Sequence, residues 1–178
     1  MEKLHVGWQE YHRLIERLAF VIYESGWRFD QIVCVARGGM RVGDVLSRIF
    51  DLPLAILATQ SYRTEGGTVR GKLIIAEHMS MTTRQLGEHV LLVDDMTDSG
   101  ITLQKIIETL PCRYPNIEKI KTAVLWWKAH AIFKPDYWVD YLPNNPWICQ
   151  PFEIYDSLGA QNLKQYLEER TANITKTA

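Results

Sequence analysis

Apolar residues at Tyr11, Leu14, Ile15, Leu18, Ala19 and Ile22 recur with the period of a helix, so Trp8–Ser25 is predicted as an amphipathic helix stopped at Gly26. The pattern then changes. Ile32-Val33-Cys34-Val35 is a short unbroken apolar run, the mark of a strand buried on both faces. Ala36-Arg37-Gly38-Gly39-Met40 follows at once, and Val42, Val45, Leu46 and Ile49 return to helical spacing. Leu54–Ala58 predicts the next strand. Thr59–Lys72 is polar and glycine-rich and reads as a long loop, with Leu73–Ala76 returning as a second strand. Val90–Val93 is another buried run, succeeded by a helical pattern over Leu103–Leu110. Lys119–Trp127 and Tyr137–Tyr141 add two strands, and Leu163, Tyr166 and Leu167 a closing helix. Ser80–Glu88 carries no readable period, and the polar tail Thr171–Ala178 is expected to fray. Strand, turn, helix and strand in alternation imply an α/β fold on a mainly parallel sheet, whose ligands bind at the carboxyl ends of its strands.

Composition narrows the class without naming a chemistry. A chain of 178 residues suits one domain over 1–178. Lys and Arg total 20 against 21 for Asp and Glu, which leaves no basic face for nucleic acid or an anionic membrane. No apolar run reaches the roughly 20 residues of a spanning helix, and Met1–His5 lacks the start of a secretory signal, so the cytoplasm is the expected location. Cys34, Cys112 and Cys149 are scattered and suggest neither a disulfide framework nor a zinc site.

The chemistry concentrates after the Val90–Val93 strand. Asp94 and Asp95 stand at its carboxyl end, followed by Thr97, Asp98, Ser99, Gly100 and Thr102 ahead of a helix. A strand, a small polar turn and a helix N-terminus present free N–H groups to an anion. Gly100 lets the backbone approach a phosphate, and the hydroxyls of Thr97, Ser99 and Thr102 can donate to it. The carboxylates of Asp94 and Asp95 can accept from vicinal ribose hydroxyls, directly or through Mg²⁺. Arg37-Gly38-Gly39, at the end of another parallel strand, falls at the same sheet edge and forms a backbone anion nest beside one fixed positive charge.

The run Val90–Thr102 closely resembles the phosphoribosyl pyrophosphate (PRPP) signature of the type I phosphoribosyltransferases: two acidic residues, two variable ones, Asp, Thr or Ser, Gly, any residue, Thr. The resemblance extends over about residues 30–155. It implies the type I fold, a central mainly parallel sheet flanked by helices, with a core over about 30–142, a small C-terminal hood over about 143–157 and a helix over 158–170. It makes Arg37, Gly38 and Gly39 the pyrophosphate loop, with a non-proline cis peptide expected at Ala36–Arg37, and Ser61-Tyr62 the opening of a flexible loop that closes over PRPP. Lys128 ends a strand, and Trp147-Ile148 comes nineteen residues later within Leu142–Glu153. A lysine donates to a 6-oxo group and a tryptophan face stacks on a heterocycle. That arrangement is similar to the 6-oxopurine branch, and Trp147–Glu153 looks like the bacterial xanthine–guanine type. Ala129-His130 departs from the proline-containing turn usual after such a lysine.

By this resemblance the chain would transfer phosphoribose from PRPP to hypoxanthine, guanine or xanthine in purine salvage. Asp94 and Asp95 would hold ribose and Mg²⁺, Glu153 a second Mg²⁺ or its water, and Asp98 would act as general base beside Arg37 at the pyrophosphate. A homodimer or homotetramer is expected from the family. Two other readings stand beside it: a non-catalytic PRPP- or nucleotide-sensing regulator on the same fold, and a phosphoribosyltransferase for another nucleobase.

Overall fold

A computed structural model describes residues 2–63 and 70–177, with backbone alone at 61–63, 70–72 and 171–177. Along the chain run β1 (Lys3–His5), α1 (Trp8–Glu24), β2 (Gln31–Ala36), α2 (Met40–Phe50), β3 (Leu54–Arg63), β4 (Arg70–Ile75), β5 (His89–Val93), β6 (Met96–Thr97), α3 (Ile101–Arg113), β7 (Lys119–Lys128), β8 (Tyr137–Leu142), β9 (Trp147–Cys149), α4 (Ile154–Leu158) and α5 (Leu163–Thr177), with a 3-10 turn at Ala160–Asn162. The chain divides into a large unit, His12–Asn145, and a small one that joins Met1–Tyr11 to Pro146–Ala178.

The large unit carries the α/β sheet. Its sheet runs β4-β3-β2-β5-β7, with β3, β2, β5 and β7 mutually parallel and β4 antiparallel at the edge. The long strand β7 has two partners on one side. Its first half lies along β5, with Val93 opposite Ala123, and its second half along β6, with Met96 opposite Trp126. Strand β8 takes the other side of β7 in parallel.

The apolar runs become strands because period-two alternation gives both faces a core to enter. On one face Val33, Val35, Val90, Leu92 and Val124 pack with Leu103, Ile106 and Leu110 of α3. On the other, α2 rests on β2 at Gly43, where a methyl would come within 2.6 Å of the Cβ of Cys34. Burial pushes the Cys34 thiol up to about 11, so it serves as an inert core residue. Helix α1 buries Leu14, Ile15, Leu18 and Ile22 and ends before Gly26, as its periodicity predicts. No described helix is long and apolar enough to cross a membrane.

Two expectations need correction, and one unread segment gains a place. The loop expected over Thr59–Lys72 shrinks, because β3 continues through Arg63 and pairs with β4, with Thr59 opposite Ile75 and Arg63 opposite Arg70. The backbone of Ser61 and Tyr62 therefore belongs to β3, and 64–69 lie outside the described residues. Ser80, in the segment without a readable period, forms a reciprocal bridge with Ile56 of β3, and Leu86 nearby is buried. The tail is helical to Thr177, since α5 runs on through Thr171.

The small unit has its own two-stranded parallel sheet, β1 with β9, pairing Lys3 with Trp147 and His5 with Cys149. Trp8, Tyr11 and Phe152 form an aromatic cluster beside it, with ring centroids 5.7–6.4 Å apart. The helix expected over 158–170 begins as a 3-10 turn and continues as α5 to Thr177, and Gly159 at φ 64 separates it from α4 in the expected hood.

Candidate active site

The site is built where β2 and β5, adjacent and parallel, end together. Backbone after β2 must pass very close to backbone after β5, and side-chain-free residues allow it. A methyl on Gly39 would strike the Val93 carbonyl and reach the Asp94 Cα at 2.9 Å and the Val35 carbonyl at 3.0 Å. One on Gly38 would lie 2.6 Å from Asp95 Oδ1. The two glycines therefore seat the Arg37–Gly39 turn on the carboxylate pair. The peptide bond Ala36–Arg37 is cis, as expected, and Arg37 is exposed.

Asp94 and Asp95 keep the strand's hydrogen bonding although they follow its last residue. The Asp94 N–H donates to the Ala123 carbonyl at 3.1 Å, and the Asp95 carbonyl accepts from the Leu125 N–H at 2.9 Å. Their side chains turn to the local backbone: Asp94 Oδ1 accepts from the Asp95 amide at 2.9 Å and Asp95 Oδ1 from the Met96 amide at 2.8 Å. Burial first, and the neighbouring Asp95 carboxylate second, hold the Asp94 carboxyl well above the usual carboxylate range, against the opposing pull of the Asp95 and Gly39 amides. Two hard oxygen donors in this setting favour whatever brings positive charge or donated protons, such as a divalent cation or ribose hydroxyls.

The turn then climbs to α3. Gly100 has φ +83, a left-handed conformation that costs other residues about 1 kcal/mol or more. A methyl there would also meet the Phe133 Cβ at 2.6 Å. Beyond it the first turn of α3, including Thr102, offers backbone N–H groups, with the Ser99 hydroxyl 3.5 Å from the Ile101 amide. Thr97 behaves otherwise than its hydroxyl suggests. Pairing of β6 with β7 turns its side chain inward; it is 1% exposed, and its Oγ1 has no hydrogen-bond partner among the described residues.

Asp98 stands on the exposed side of the same turn, where Lys128 at the end of β7 reaches it. Lys128 Nζ lies 3.0 Å from Asp98 Oδ1, with the lysine side chain 8% exposed and the aspartate 54%. The fold thus unites two expected site residues thirty positions apart in the chain. It adds one that the sequence reading left out: His130 Nε2 is 3.1 Å from the same Oδ1. The available signal was position, two residues past Lys128 on the turn that already looked unusual. Trp147, Ile148 and Glu153 belong to the small unit. Trp147 presents a half-exposed ring on β9, Ile148 is buried, and Glu153 precedes α4.

The arrangement can seat an anion at two backbone turns, hold a polyhydroxylated or cation-bearing group between them, and exchange a proton at Asp98. Comparison with known proteins agrees with such a ligand. The family model described as "Phosphoribosyl transferase domain" matches residues 7–157. A xanthine-guanine phosphoribosyltransferase of Gluconobacter oxydans is 28% identical over 149 residues, covering 83% of this chain and 83% of the relative. Among solved structures, a purine phosphoribosyltransferase from Pyrococcus horikoshii is 31% identical with a TM-score of 0.69, covering 85% of this chain and 95% of that one. The xanthine-guanine-hypoxanthine phosphoribosyltransferase of Helicobacter pylori is 25% identical with a TM-score of 0.71, over 92% and 99% of the two chains.

Proposed function

Because this chain belongs to the phosphoribosyl transferase domain family, we propose that it joins the phosphoribosyl group of PRPP to a 6-oxopurine, releasing pyrophosphate and giving the nucleoside 5′-monophosphate. The observation that carries this reading is the Lys128–Asp98 pair at 3.0 Å, beside the Asp94–Asp95 turn. It sets a donor for a ring oxygen next to an acceptor for a ring proton, and both next to a seat for ribose and phosphate. The names of the xanthine-guanine relatives support the same base class.

The chemistry follows from where charge appears. Breaking the bond between ribose C1′ and pyrophosphate builds positive charge on the sugar and negative charge on the leaving group. Arg37 and the Gly38 amide receive the pyrophosphate, while the expected Gly39 amide is spent within the fold, on the Val35 carbonyl at 2.9 Å. Amides at the start of α3, with Ser99, Gly100 and Thr102, receive the 5′-phosphate. Asp94 and Asp95 accept from the ribose hydroxyls and set negative charge near the electron-poor ring. Lys128 gives up Asp98 to donate to the purine's 6-oxo group, and Asp98 takes the ring proton as N9 bonds to C1′. The family resemblance also assigns Trp147 and Ile148 of the small unit to the base; Trp147 is half-exposed and Ile148 is buried.

Mg²⁺ suits this donor set. No group of three metal-binding side chains occurs among the described residues, and Mg²⁺ characteristically takes one or two carboxylates and fills its shell with water and substrate phosphates. Asp94 and Asp95 would hold it, and it would neutralise charge on the pyrophosphate; a second ion at Glu153 is what the family resemblance implies. A homodimer or homotetramer in the cytoplasm is the setting that goes with this reading.

The test is turnover with PRPP and Mg²⁺ against hypoxanthine, guanine, xanthine, adenine, uracil and orotate, with Asp98→Ala as control. Turnover of a 6-oxopurine, lost in the variant, supports the assignment. PRPP binding without turnover of any base replaces it with a sensor, and no PRPP binding overturns it.

A further inference from the structure

Asp98 Oδ1 receives two side chains at once, Lys128 Nζ at 3.0 Å and His130 Nε2 at 3.1 Å. The functional reading above uses the lysine and leaves the histidine without a task. Yet the turn that carries His130 is unusually well fixed. Its amide donates to Asn145 Oδ1 at 3.1 Å, the next amide, of Ala131, to the Lys128 carbonyl at 3.1 Å, and the Ile132 amide to the Ser99 carbonyl at 2.9 Å. Phe133 then closes against Gly100 so tightly that a methyl there would not fit. The connection from β7 to β8 is thus tied to the turn bearing Asp98 just beyond His130.

We propose that His130 is a positioning residue, which keeps Asp98 in place when Lys128 leaves it for the base. The proposal rests on the assignment of Lys128 to the base oxygen and of Asp98 to the ring proton. In the ligand-free chain the lysine and the aspartate restrain each other. Once a base draws the ammonium away, a half-exposed carboxylate held by that lysine alone would be free to turn. An imidazole N–H on Oδ1 keeps the carboxylate in plane and leaves Oδ2 to accept the proton. An imidazole N–H is the fitting donor for this. A second permanent cation, such as arginine, would compete with the incoming proton for the same carboxylate. Asn145 acts one step further out, by holding the backbone from which the imidazole reaches.

The test compares His130→Ala and His130→Gln, each alone and combined with Asp98→Asn. With the alanine variant, kcat for a 6-oxopurine should fall about 10- to 100-fold, the scale of a misplaced catalytic group, while KM for PRPP stays within about twofold. Glutamine, which keeps an N–H donor, should restore most of the rate. In the Asp98→Asn background the alanine change should cost less than about twofold, because its target is already gone. Equal losses in alanine and glutamine variants with a raised KM for PRPP, or full losses in the Asp98→Asn background, would overturn the proposal. A second measurement does not depend on turnover. The ¹⁵N imidazole signals of His130, assigned by their disappearance in His130→Gln, should move on Asp98→Asn; unmoved signals overturn the contact itself. Should the unaltered chain turn over no 6-oxopurine while those signals move, the functional reading fails and the contact stands.

Discussion

Asp94 and Asp98 lie four positions apart on one turn, and the fold treats them in opposite ways. Asp94 sits between the ends of β2 and β5, where burial and the Asp95 carboxylate oppose its charge. Asp98 is half-exposed and offers one oxygen to a lysine and a histidine. Carboxylates whose surroundings diverge this far are suited to different work. The first kind waits for something positive or proton-donating to arrive. The second already has donors on one oxygen, and can exchange a proton on the other.

The sharpest way to break this contrast is to neutralise the second kind. Asp98→Asn should lower kcat for a 6-oxopurine by about 10²- to 10⁴-fold, the usual share of a general base, with PRPP affinity by calorimetry unchanged. A matching loss of PRPP affinity would mean that both carboxylate sites bind the same group. Next comes the packing that makes the first kind possible. Gly39→Ala should destabilise the chain in urea melts by about 1–3 kcal/mol or more, since backbone atoms of two strands stand in the way. Gly38→Ala should cost less, because there the obstacle is the Asp95 side chain, and should appear as weaker PRPP binding. Wild-type melting in Gly39→Ala would refute the close approach.

A smaller effect concerns pH. The folded chain holds the Asp94 proton more tightly than the unfolded chain, so folding takes up a proton. That contribution is fully present below the ordinary carboxylate value, about pH 4, and is lost as pH rises through the raised one. Asp94→Asn should therefore be more stable than the unaltered chain at pH 7, and the gap should close toward pH 4 in urea melts. A gap that stays constant or widens toward acid would contradict the electrostatic account. The smallest effect is expected where both partners of an ion pair reach solvent. Arg17 and Asp140 meet at 3.3 Å with side chains 57% and 38% exposed, and Arg17→Ala should change stability by only about 0.2–1 kcal/mol. A larger loss would show that exposure is a poor guide to the difference between Asp94 and Asp98.

Much of this was legible because it depends on local pattern. The apolar runs of β2 and β5 and the helical period of α1 each announce one element, and the small polar turns after the strands announce the anion seats. What escaped depends on distant pairing. Strands β1 and β9 are three residues each, too short to show a period, and exist through each other across 144 positions from Lys3 to Trp147. Ser61 and Tyr62 read as loop by composition, yet the ladder with β4 holds that backbone extended. Thr97 read as a phosphate donor until β6 fixed which way it faces. His130 carried no motif of its own; only the closing of the β7–β8 turn onto Gly100 gives it a meaning.

One feature of the sheet bears on the thermodynamics of binding. Strand β7 spans both β5 and β6, and clasps the Asp94 amide and the Asp95 carbonyl on the way. Fixing a residue's backbone costs about 1–2 kcal/mol in lost conformational entropy. For the two carboxylate-bearing residues that cost is met when the chain folds, and an arriving ligand does not meet it again. Affinity there is set by what the ligand touches, free of any charge for putting the protein in order.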